Sequence, residues 1–129
     1  MRIRTIKPEF WQSEKLARAS REARMLFVGL WSMADDSGRT RAASRLLAST
    51  LFPYEEDVPG LIGGWLQELS SIGAIRLYVV DGCHYLDIPK WRDHQKIDKP
   101  SPSKLPGFDE ASRILDEASR KIALDQGEE

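Results

Sequence analysis

Ile75-Arg76-Leu77-Tyr78-Val79-Val80-Asp81-Gly82-Cys83-His84-Tyr85-Leu86-Asp87-Ile88 is the stretch on which the fold turns. Asp81-Gly82 separates two strand-like runs, and a two-residue type I′ turn needs two residues that tolerate positive φ, which this pair supplies. So short a loop fixes the register: Val80 opposite Cys83, Tyr78 opposite Tyr85, Leu77 opposite Leu86, Arg76 opposite Asp87 and Ile75 opposite Ile88. Alternation then puts Ile75, Leu77, Leu86 and Ile88 on a core face, and Arg76, Tyr78, Tyr85 and Asp87 on a face turned to water.

Upstream, Asp57-Val58-Pro59 has the cap-then-proline form of a helix start. The helix is expected to run to about Ile72 with Leu61, Ile62, Trp65, Leu66, Leu69 and Ile72 as its core stripe, and Gly73 supplies a left-handed stop. Before it, Ser44 to Leu51 reads as a helix ended by Pro53, and Arg39-Thr40-Arg41 as a brief strand. The strongest helix opens at Ser20 with Glu22, carries Ala23, Leu26, Phe27, Leu30, Trp31 and Ala34, and stops at Asp35-Asp36-Ser37-Gly38. A short helical turn over Ser13 to Ala19 precedes it. At the front, Arg2-Ile3-Arg4-Thr5-Ile6-Lys7-Pro8 alternates basic and apolar residues up to a proline, which fits an extended arm that could lie on a sheet edge.

Downstream of the hairpin the segment from Trp91 to Ile97 has little period, and Lys99 to Gly107 is rich in proline and serine, the composition of a semi-rigid linker. The expected organisation is a domain over 1–98, a linker over 99–107, and an amphipathic helix with an acidic tail over 108–129. In the last part Ala111, Ile114, Leu115, Ala118 and Ile122 recur at helical spacing in a charged stretch.

Helix, short strand, two helices and a hairpin make the α+β order of a winged helix-turn-helix, whose third helix is held by a small antiparallel sheet. In that order fall Arg2 to Trp11, Leu26-Phe27-Val28-Gly29-Leu30-Trp31 with Asp35-Asp36 and Gly38, Leu51-Phe52-Pro53, and Trp91 with His94-Gln95-Lys96-Ile97-Asp98 and Pro100. As a set, over about residues 2 to 106, they resemble the N-terminal domain of bacteriophage and prophage replication proteins, the replisome organisers or helicase-loader-associated initiators. The resemblance implies a winged-helix domain that binds DNA near a replication origin and brings in replication machinery. It implies double-stranded DNA and a replicative helicase or helicase loader as partners, in the cytoplasm of a bacterial host; a second copy of the chain is a further expected partner, from the glycine face of the third helix and the C-terminal amphipathic stripe. Members of that family often carry a second domain that contacts the helicase or its loader; here a linker and one helix follow residue 98.

Charge agrees with an anionic partner. Of 129 residues, 30% are charged and the net charge is −1, but residues 1 to 52 hold ten Lys/Arg against five Asp/Glu, residues 53 to 98 four against eight, and residues 99 to 129 five against seven. The basic charge sits at the front. No apolar run approaches the roughly 20 residues of a membrane-spanning helix, so no membrane partner is expected. Cys83 stands alone, and neither His84 nor His94 shares ligand spacing with it or with a carboxylate pair, so neither a disulfide nor a metal is expected. Nor does any nucleophile stand with a plausible base. Asp35 and Asp36 read as turn formers, and the sequence is that of a protein without catalysis or cofactor.

The nucleic-acid contacts expected are Arg2, Arg4 and Lys7 on the arm, Arg39, Arg41 and Arg45 around the second helix, and Lys90, Arg92 and Lys96 after the hairpin, all acting on phosphates. Gln67 is the one long polar side chain expected to face a groove. Opposite the apolar stripe the third helix carries Gly60, Gly63, Gly64, Gln67, Ser70 and Ser71, with Glu68 its only charge. Each interior glycine costs roughly 1 kcal/mol of helix propensity, which implies close backbone approach by a phosphate backbone or by a helix of a partner subunit. Phe10, Trp11, Phe27, Trp31, Trp65 and Trp91 are read as core. The rival reading is a protein-interaction module or transcriptional regulator with little DNA contact.

Overall fold

A computed structural model describes residues 1 to 110, and the chain there is α+β. Its elements are α1 (Arg21–Met33), β1 (Arg39–Arg41), α2 (Ser44–Leu51), α3 (Ile62–Ser71), β2 (Arg76–Val80), β3 (Cys83–Asp87) and α4 (Trp91–His94), with 3-10 turns at Pro8–Gln12, Leu16–Arg18 and Val58–Gly60. The amphipathic helix expected from 109 lies almost wholly outside the described residues.

The hairpin forms in the expected register, from Arg76 opposite Asp87 to Val80 opposite Cys83, around a turn with Asp81 at φ +51° and Gly82 at φ +77°. β1 adds to its free side, giving an antiparallel sheet of order β1-β3-β2 with Thr40 opposite Leu86. The α1 stripe is buried throughout, and Ser20 caps the helix by accepting from the Ala23 amide at 3.1 Å. Ile62, Leu66 and Leu69 of α3 meet this stripe, and Ile75, Leu86 and Ile88 close the core from the sheet.

Four expectations are corrected. The third helix is not continuous from Asp57: the backbone first makes a separate 3-10 turn at Val58–Gly60, and α3 opens only at Ile62. That break resets the helical phase and turns Leu61 outward, 43% exposed, instead of into the stripe. Trp11 is not core either: it is 71% exposed and touches Phe10 edge-on, at 5.0 Å between centroids. The arm avoids the sheet edge and runs along the end of α1, the Arg2 amide donating to the Ser32 carbonyl at 2.9 Å.

Last, the hairpin face expected to be wet is covered. Tyr78 is 2% and Asp87 6% exposed, because the stretch read as a linker folds back over them. The Tyr78 hydroxyl donates to the Pro106 carbonyl at 2.7 Å, Phe108 meets the Tyr78 ring at 5.8 Å, and the Arg76 guanidinium sits 4.3 Å over Phe108. Asp35 and Asp36 hold the same stretch, the first through Ser103 Oγ and the second through the Ser101 amide. No helix among the described residues is long and apolar enough to cross a membrane.

Candidate nucleic-acid interface

A helix ends with unpaired carbonyls and the negative end of its dipole, and α1 carries no basic residue in its last turn. It is followed by two carboxylates, so cations must come from elsewhere in the chain. The arm brings them. Arg4 donates from Nε to the Trp31 carbonyl and from Nη2 to that of Ala34, both at 2.9 Å, and lies over the Trp91 ring with its side chain only 9% exposed. Burial pulls its pKa below the usual arginine value, the neighbouring Arg2 adds to this, and Asp35 opposes it. Arg2 pairs with Asp36, and Lys7 donates to the Asp93 carbonyl at 2.5 Å. Arg39 is also engaged within the fold, donating to the Leu105 carbonyl at 2.9 Å. Each of these four cations has a partner within the fold.

Arg41, Arg45, Lys90, Arg92 and Lys96 are exposed, and none is in an ion pair among the described residues. They do not form one patch. Gly38 accepts from the Ile88 amide at the start of β1, beside Trp91 and α4, whereas the Ala42 amide donates to the His84 carbonyl at its other end. Lys90, Arg92 and Lys96 therefore belong to the α4 end, and Arg41 and Arg45 to the end where α2 begins.

Gln67 is exposed on α3 and lines a cleft of about 280 Å³ between α3 and the hairpin, together with Ala42, Gly63, Val79, His84 and Tyr85. Arg41 precedes Ala42 but stands opposite Tyr85 in the strand pairing, on the sheet face that carries Tyr78 and Asp87. Glu68 is turned away from this surface: its carboxylate accepts from the Ser20 amide and hydroxyl, each at 2.9 Å. That leaves the outer face of α3 without an uncompensated charge.

Its glycines are the telling feature. A Cβ placed on Gly63 or Gly64 of α3, or on Gly60 in the turn before it, meets nothing within 4 Å, so no packing inside the described residues requires a glycine at any of them. The surface they leave can come within backbone distance of a partner, which fits the flank of a nucleic acid. His84 lines the same cleft, a place that follows from the hairpin register, which sets it beside Val79. A second set, which no sequence motif marks, is Trp11 and Met25 with Arg21 and Arg24. They line a separate groove, and the signal was present in Met25, an apolar residue on the side of α1 opposite its stripe.

Comparison with family models, with curated proteins and with solved structures returns no match.

Proposed function

We propose that this chain is a winged-helix DNA-binding protein that acts in the initiation of DNA replication, α3 being its recognition helix and the β2–β3 hairpin its wing. The observation that carries the reading is the bare glycine face of α3 beside exposed Gln67; Arg41 and Arg45 are exposed and in no ion pair among the described residues. A winged helix places its third helix in the major groove, where a glycine face lets the helix axis lie close to the sugar-phosphate flank and a single glutamine reaches adenine. Arg41 and Arg45 then neutralise phosphates and set affinity, not sequence choice. The replication role comes from the resemblance to phage replication proteins. The short hairpin tip, Asp81-Gly82, is acidic and stays out of the minor groove.

Fluorescence anisotropy with duplex and single-stranded oligonucleotides across a salt series tests this. Duplex is expected to bind more tightly, and Arg41→Ala with Arg45→Ala is expected to weaken specific and random duplexes alike, lowering the slope of log affinity against log salt by about 2. Lys90→Ala with Arg92→Ala, at the other end of β1, is expected to leave that slope unchanged. A protein with no salt-dependent affinity for DNA would instead be an interaction module.

A further inference from the structure

Pro53-Tyr54-Glu55-Glu56-Asp57, the loop between α2 and the Val58–Gly60 turn, is exposed at every position, and Tyr54 is 94% exposed. Its three carboxylates stand in no ion pair among the described residues, and no Lys or Arg interrupts them. The loop is held at both ends. The Glu55 amide donates to the Phe52 carbonyl at 3.1 Å and the Gly60 amide to that of Asp57 at 3.2 Å, while Phe52 packs on Trp65 at 5.5 Å between centroids and Val58 is buried. An aromatic ring beside a run of carboxylates is thus presented on a preformed turn, as an interface anchor needs, because little ordering remains to be done on binding.

Next to this knob lies a hole of the opposite character. Ile6, Trp11, Met25 and Phe52 line a groove of about 670 Å³ between the N-terminal turns, α1 and the end of α2. The charged residues in its lining are Arg21 and Arg24, neither in an ion pair among the described residues. Phe52 lines the groove and its carbonyl closes the Tyr54 turn, so knob and hole are neighbours on one surface. Tyr54 does not line the groove of its own chain. A surface that carries a knob beside a complementary hole pairs with its own copy about a two-fold axis, each knob entering the other's hole. We propose that this surface joins two copies of the chain, Tyr54 of each entering the Trp11–Met25 groove of the other, with Glu55 and Glu56 against Arg21 and Arg24. The joint is distinct from the glycine face of α3, and it does not rest on DNA binding.

Sedimentation equilibrium of the full chain, without nucleic acid, tests it; wild type is expected to dimerise. Glu55→Arg with Glu56→Arg gives knob and hole the same sign, and Arg21→Glu with Arg24→Glu does so from the other side. Each variant alone should dimerise at least about tenfold more weakly, because like charges then meet at both joints. Mixed one to one, the two variants again bring opposite signs together at both joints and should form a heterodimer with about wild-type affinity. Tyr54→Ser leaves every charge in place and should weaken the dimer likewise through loss of the anchor. A cooperative melt shows that each variant folds, and should charge reversal on α1 unfold the chain, Tyr54→Ser decides alone. A monomeric wild type, which would leave the groove to some other partner, overturns the proposal. So does a dimer of undiminished strength in Tyr54→Ser, or two weakened charge variants that fail to pair when mixed.

Discussion

Arg4 lies with its guanidinium 5.0 Å from the centroid of the Trp91 ring, so one arginine joins the arm, the last carbonyls of α1 and the helix that follows the sheet. A fork with several donors can satisfy two helix carbonyls while its face stacks on an indole, which a lysine cannot do. Arg4→Ala is expected to lower stability by about 2–3 kcal/mol, from the loss of charge-assisted hydrogen bonds in a nearly buried place, and Arg4→Lys to recover only part of it. Urea unfolding checks this. Wild-type stability in Arg4→Ala would return the arm to the set of free cations.

Ser20 and Glu68 make a second such joint, between the start of α1 and the middle of α3. Ser20→Ala is expected to cost about 1 kcal/mol as a lost cap. Because the hydroxyl serves both Ala23 and Glu68, the Ser20→Ala/Glu68→Ala pair should cost less than the two single changes added together. A double-mutant cycle in denaturant measures the difference.

Tyr78 reports on the stretch that covers the hairpin. Burial, then the nearby Asp87, pushes its pKa up from 10.0 to about 12, against the pull of Arg39. Between these values the unfolded chain loses the phenolic proton first, so stability falls as pH rises through the window. Tyr78→Phe should remove that dependence and cost about 1 kcal/mol at neutral pH through the lost bond to Pro106. Unfolding midpoints between pH 9 and 12 decide it.

His94 acts in the opposite pH range. It packs edge-on to Phe27 at 6.1 Å and against Trp31 at 5.9 Å, and burial, aided by Lys15 and Lys7 and opposed by Asp93, lowers its pKa below 6.5. The unfolded state then takes up the proton first as pH falls below 6.5, so stability is lost on the acid side. His94→Phe keeps the ring contacts and is expected to show a shallower acid loss in thermal melts between pH 7 and 5.

Helix α1 and the hairpin register are legible because they rest on local signals: the Asp81-Gly82 turn, the Ser20 cap and the 3.6-residue stripe of α1; the short α4 from Trp91 has no such signal. What the sequence concealed is long-range. Nothing local in Arg2-Ile3-Arg4 tells that its cations go to the end of α1; the hint was a helix ending in two carboxylates with no base of its own. Likewise Lys99 to Gly107 reads as a linker by composition, yet Tyr78, Arg39 and Asp35 each bind it, and bonds spanning 28 to 68 residues leave no periodic trace. In the candidate interface the glycines of α3 were visible and their openness was not, since only packing shows that no neighbour needs them.

The central claim is that those glycines serve a partner and not the fold, and Gly63→Ala with Gly64→Ala separates the two. Both positions lie in α3 with open space around the added methyl, so the change should raise stability by up to about 1 kcal/mol per site. Measured on the same protein, duplex affinity should fall at least about tenfold, a loss of roughly 1.4 kcal/mol, because the added methyl groups hold the helix off the sugar-phosphate backbone. A variant that is more stable and binds DNA as well as wild type would contradict the account.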